Sequence, residues 1–157
     1  MNDTQLQAFE GSIGHILEDL VFLFPSPMPA PAHEHGLGNR ILVHMTYSGA
    51  HNGKLAMDYP DSFSTMVAAN MLGLDEDDPD IVPKSEDAIR ELLNVICGNL
   101  LPALYGSEAV FSLGIPEIIP STDAPEDMFS ETATTIWFEA DDAILRFQYS
   151  SENSAAS

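Results

Sequence analysis

The amino-acid sequence predicts an α+β domain, an antiparallel sheet packed with helices, on three observations. The chain has 157 residues, 45% of them hydrophobic, which fits one domain with a good core. Strand-like alternation comes in pairs joined by turn-forming residues, at 40–47 with 54–59 and at 132–139 with 143–149. Before and between these pairs lie stretches with apolar residues at helical spacing. The resulting order of helix, two strands, helix, helix, three strands hints at a weak internal duplication of helix plus hairpin.

In chain order, residues 4–24 read as a first helix, with Phe9, Ile13, Ile16, Leu17, Leu20 and Phe24 on one side. Gly11 and Gly14 weaken it, each by about 1 kcal/mol relative to alanine. The run PSPMPAPAHEHGLG, with prolines at alternate positions, reads as a loop or arm. Ile41, Val43, Met45 and Tyr47 then form one strand face, answered by Leu55, Met57 and Tyr59 across the connection Ser-Gly-Ala-His-Asn-Gly. A helix follows Pro60, capped by Asp61 or Ser62, with Phe63, Met66, Val67, Asn70 and Met71 inward and Gly73 as its stop. The acidic run 75–80 reads as a solvated connection, since it lacks the glycine and the distant glutamate of an EF-hand loop. A central helix spans 85–105, and strands follow at 110–119, 132–139 and 143–149. The last two are joined by a turn at Asp141 and Asp142. Residues 1–150 are thus expected to form one domain and 151–157 a disordered tail.

Five Lys+Arg against 25 Asp+Glu give a net charge of −20, which sets nucleic acid and anionic membranes aside as partners. No apolar run reaches the ~18 residues of a spanning helix. The N-terminal MNDTQLQAFEGS has no basic region ahead of an apolar one, so the cytoplasm is the expected location. A single cysteine, Cys97, leaves no internal disulfide framework and reads as a small packed side chain.

The central helix carries two incompatible faces. At ~100° per residue, Asp87, Glu91, Asn94 and Gly98 fall in a stripe ~60° wide. Ile89, Leu92, Ile96 and Leu100 lie opposite and need a core. The stripe is therefore left outward, with two acids, an amide and a glycine.

The run DAIRELLNVICGN, with Asp87, Glu91, Asn94, Gly98 and Asn99, resembles the signature helix of the CheC, CheX and FliY phosphatases of bacterial chemotaxis. In that family an acid or serine is followed by glutamate, by asparagine, and further on by a proline, a position that Pro116 fits to within about a residue. The hairpin with Gly49 and Gly53 and the following FSTMVAANMLGL resemble the family's elements before the signature, so the likeness covers 40–149. The N-terminal GSIGHILEDLVFL offers Glu18 and Asp19 but no asparagine in register; one signature per chain makes CheX the nearer relative.

The resemblance implies hydrolysis of the aspartyl phosphate of a CheY-like response regulator. Asn94 would orient a water in line with the phosphorus, its amide accepting from the water and donating to a phosphoryl oxygen. Glu91 would bind the receiver's active-site lysine in a charge-assisted pair. Asp87 would support Glu91 or contact the partner's rim, and Gly98 would let a partner loop approach closely. The protein needs no cofactor of its own; Mg2+ belongs to the receiver. Dimerisation through the sheets is also implied. Arg90 stands where the family has a small residue, and either pairs with Glu86 one turn back or alters the docking surface.

Two other readings compete. The fold could serve as a non-catalytic receiver-binding or flagellar-switch adaptor. Alternatively, His33 and His35, with His15, His44 or His51, could bind a transition metal, although the ligand set is incomplete.

Overall fold

The structure is a computed structural model and describes residues 1–32, 37–125, 127–128 and 133–152. The first helix, α1 (Asp3–Val21), opens on a reciprocal cap in which Asn2 and Gln5 satisfy each other's backbone N–H. It closes at Phe22, which is left-handed at φ 58°. That stop comes before the end expected from periodicity, so Leu23 is buried while Phe24 is 77% exposed rather than on the inner face.

Part of the proline run is a strand. β1 (Ser26–Met28) pairs antiparallel with β6 (Thr134–Ala140). An edge strand needs its hydrogen-bonding groups on one side only, which is why Pro27 is tolerated there. β2 (Arg40–Gly49) and β3 (Asn52–Pro60) form the expected hairpin, with Ile41 opposite Tyr59, Val43 opposite Met57 and Met45 opposite Leu55. Opposite Tyr47 stands Gly53, where any Cβ would collide with the Tyr47 hydroxyl and the Ser150 carbonyl.

β7 (Ala143–Glu152) pairs with both β6 and β3, so the two hairpins meet through β3 and β7 at the middle of the sheet. It runs beyond the strand end expected from sequence. Ser151 and Glu152, assigned above to the tail, find ladder partners in Gly53 and Asn52.

The helices α2 (Asp61–Leu72) and α3 (Ile81–Tyr105) join α1 on one face of the sheet. α2 has no side-chain cap but ends, as expected, at a left-handed Gly73. α3 begins before residue 85 because a proline in the first turn, here Pro83, lacks only an N–H that would have no helical partner. Asp78 prepares that start, its carboxylate accepting from the Asp80 N–H at 2.8 Å. Asn70 ties α2 to the end of α1 by donating to the Val21 carbonyl at 2.7 Å.

The expected single strand at 110–119 is instead two short ones, β4 (Phe111–Leu113) and β5 (Glu117–Pro120), both on β2. The register gives the reason. Leu113 faces Tyr47 and Ile118 faces Val43, so five steps along this edge answer four along β2, leaving one extra residue as a bulge. Gly114 sits in it, donating to the Thr46 carbonyl at 2.8 Å, where a Cβ would lie 2.8 Å from Thr46 Oγ1.

On the sheet face away from the helices, buried Asp58 is a hub. It accepts from Arg40, from Arg146 at 3.2 Å and from Ser121 Oγ at 2.6 Å, joining β2, β3, β7 and the segment after β5. Arg146 also lies over the Trp137 ring.

Candidate active site

α3 is placed by its apolar side. Ala88, Ile89, Leu92, Leu93, Ile96, Cys97, Leu100 and Leu101 are all buried against the sheet and the other two helices. The opposite side is therefore fixed outward: Asp87, Glu91 and Gly98 are exposed and Asn94 is half-buried. The structure brings the four stripe residues onto one face, with Glu91 and Asn94 a helical turn apart.

Their side chains differ in how far they are committed. Among the described residues, neither Glu91 nor Asn94 makes a side-chain hydrogen bond or ion pair. Asp87 is held by Arg90 Nη1 at 3.1 Å, while Arg90 Nη2 reaches back to Glu86 at 3.6 Å. Asp87 thus answers to Arg90, and Arg90 does more than pair with Glu86. Asn99 turns to its own helix, donating to the Val95 carbonyl at 2.8 Å, and stands off the stripe. Gly98 is bare, and Pro102 has no N–H to give the Gly98 carbonyl.

Cavities of about 370 Å³ beside Arg40 and Trp137, 360 Å³ beside His51 and Tyr105, 230 Å³ beside His15, and 90 Å³ beside Ser85 are not lined by Glu91 or Asn94. Among the described residues, the stripe thus presents one uncommitted carboxylate and one uncommitted amide on an outward helix face.

The other candidates are taken up locally. Cys97 is fully buried, and burial pushes its thiol up to about 12, out of nucleophilic range. His15 pairs with Asp19 at 3.3 Å, His44 with Glu117 at 3.7 Å, and His51 stacks on Tyr105. His33 and His35 lie outside the described residues. All five Lys and Arg side chains have partners, Lys54 on the Met128 carbonyl and Lys84 on Asp78 completing the set.

Sequence reasoning missed the wall beside the stripe. Leu113 lies against Gly98, and Ile115 stands out from the bulge, 86% exposed. The glycine and proline flanking Ile115 were the available signal.

A helix-backed antiparallel sheet that displays a carboxylate and an amide outward on its central helix is the arrangement expected from the resemblance to the CheC, CheX and FliY family. The model of the family described as "Chemotaxis phosphatase CheX" matches residues 41–139, and the chain belongs to that family. No curated protein sequence matches it.

Among solved structures, CheX of Desulfovibrio desulfuricans is 19% identical with a TM-score of 0.70, over 94% of this chain and 99% of that one. CheX of Vibrio vulnificus is 15% identical with a TM-score of 0.72, over 97% and 100%. The CheX–CheY–BeF3–Mg2+ complex of Borrelia burgdorferi matches at 16% identity and a TM-score of 0.67, over 95% and 98%. These likenesses extend over the fold, including α1. Among the described residues no helix is long and apolar enough to cross a membrane.

Proposed function

We propose that this phosphatase hydrolyses the aspartyl phosphate of a CheY-like receiver domain. One observation carries the reading: its uncommitted acid and amide stand on an open helix face, which suits a substrate borne on the surface of another protein. The solved Borrelia relative, captured with CheY, beryllofluoride and magnesium, supports the choice of partner.

In this reading the Asn94 carboxamide enters the receiver's site and orients a water opposite the aspartyl oxygen. The water oxygen forms the new bond to phosphorus as the aspartyl P–O bond breaks, releasing inorganic phosphate and a free carboxylate. Little covalent chemistry is asked of the phosphatase; position and charge do the work. Glu91 pairs with the receiver's active-site lysine and sets the docking register. The Mg2+ is the receiver's, Asp87 and Gly98 meet its rim, and the setting is the cytoplasm. A homodimer through the sheets belongs to the same proposal and would appear in light scattering as twice the monomer mass.

The test is phosphate decay on receivers from the same organism, with magnesium, with and without the protein. Acceleration that disappears with Asn94→Ala is the expected result. No acceleration on any well-phosphorylated receiver would sink the reading, and binding without acceleration would leave an adaptor.

A further inference from the structure

The β4–β5 edge runs beside the stripe and in step with it. A Cβ on Gly98 would meet Leu113 Cδ1 at 3.9 Å, while Ile118 shares a small cavity with Ser85 and Glu86 near the start of α3. From Gly98 back to Glu86 the helix covers about 18 Å at ~1.5 Å per residue. From Leu113 to Ile118 an extended chain covers about 17 Å at ~3.3 Å per residue. The two segments are therefore antiparallel, and residues 114–116 pass the level of Glu91 and Asn94.

Ile115 is the middle residue of that passage. At 86% exposed it faces water more fully than any other large hydrophobic side chain among the described residues. Its position is built. Gly114 is pinned to Thr46 with no room for a side chain, and Pro116 fixes the next φ. Bulges of this kind re-aim a side chain beside active sites. Leu113, 36% exposed, continues the apolar surface towards Gly98. Charge gives the second reason. Every basic side chain is already engaged, and the chain carries −20, so attraction by free cations is not available to the docking face.

We propose that Ile115, with Leu113 beside it, is the apolar anchor on which the phosphorylated receiver docks, setting affinity for the receiver and not the rate of hydrolysis. This rests on the receiver reading given above. The partner must then present an apolar patch beside its phosphorylated aspartate.

Two measurements separate the claims. In phosphate decay at varied receiver concentration, Ile115→Ser raises KM about tenfold, the cost typical of a buried interface anchor. It leaves kcat within about twofold, since the reacting groups are untouched. Binding to the Mg2+- and beryllofluoride-loaded receiver weakens by the same factor. Ile115→Leu keeps both near wild type. Ser112→Ala, on the strand side that faces away from the helices with Ser48, changes neither. Thermal midpoints check that each variant is folded.

Unchanged KM and Kd in Ile115→Ser would overturn the anchor while leaving the phosphatase reading intact, as would a loss confined to kcat. If wild type binds the loaded receiver without accelerating decay, the hydrolysis reading fails and the Kd of Ile115→Ser alone decides the anchor. If wild type does neither, both fall.

Discussion

In the proposed mechanism the residue that decides the chemistry is Asn94, whose amide is uncommitted and whose place in a helix interior carries a small propensity cost. Asn94→Ala is expected to lower kcat for receiver dephosphorylation by about a hundredfold, the scale seen when a single transition-state contact is removed. Asn94→Asp should fall as far despite its matched shape, since a carboxylate cannot donate to a phosphoryl oxygen and repels it. An Asn94→Asp variant retaining a tenth of the rate would contradict the amide's dual role. Cys97 offers a contrast on the same helix. Burial holds its thiol at about 12, so at pH 8 almost none is thiolate. A thiol-reactive dye should leave the native protein unlabelled at that pH and label it once unfolded in guanidinium. The stripe was legible from sequence because it depends only on spacing within one helix. Ile115 was not, because its exposure is created by a register offset against Thr46, distant in the chain. Asp58 was hidden for a similar reason, since its partners Arg40, Arg146 and Ser121 come from three separate segments.

At the scale of elements, both hairpins were readable as pairs of facing strands, since alternation and the turn residues between them mark each strand and its inner face. What escaped were the exceptions proline makes. Pro83 is harmless in a first helical turn, and Pro27 is harmless on an edge strand. The β6–β7 turn yields a prediction of its own. Asp141 and Asp142 are both left-handed, at φ 46° and φ 67°, between paired Ala140 and Ala143. Such two-residue turns favour glycine at the second position. Asp142→Gly relieves that strain and removes a carboxylate beside another, so it should stabilise the fold by about 0.5–1 kcal/mol despite the extra freedom of the unfolded chain. Calorimetry would show a midpoint raised by ~1–4 °C, and a lower one would mean the turn is not strained as described. The site on α3 should be unaffected.

The whole molecule is charged almost entirely with one sign, and its buried phenols add a second dependence on pH. Tyr149 accepts from Tyr47 at 2.8 Å, bonds to Tyr105, and is buried with Tyr47, so desolvation raises both phenols above their usual range. Tyr59 and Cys97 are raised by burial too. A raised folded pKa means the native state keeps protons that the unfolded chain gives up. Stability from this source is complete below the unfolded values and is lost as pH climbs past ~9–10. Thermal midpoints should fall from pH 9 to 11, less steeply in Tyr149→Phe.

Salt acts on the same molecule through its net charge. At −20, with each cation engaged, the field seen by an approaching acidic receiver is repulsive beyond the proposed local Glu91–lysine contact. Raising ionic strength shortens the range of that repulsion from ~10 Å at 0.1 M towards ~3 Å at 1 M. It leaves an apolar anchor such as Ile115 essentially untouched. For a receiver of net negative charge, kcat/KM should therefore hold or rise between about 0.05 and 0.5 M salt. A steep fall would mean that long-range attraction, and not the local fit of helix stripe and bulge, brings the two proteins together.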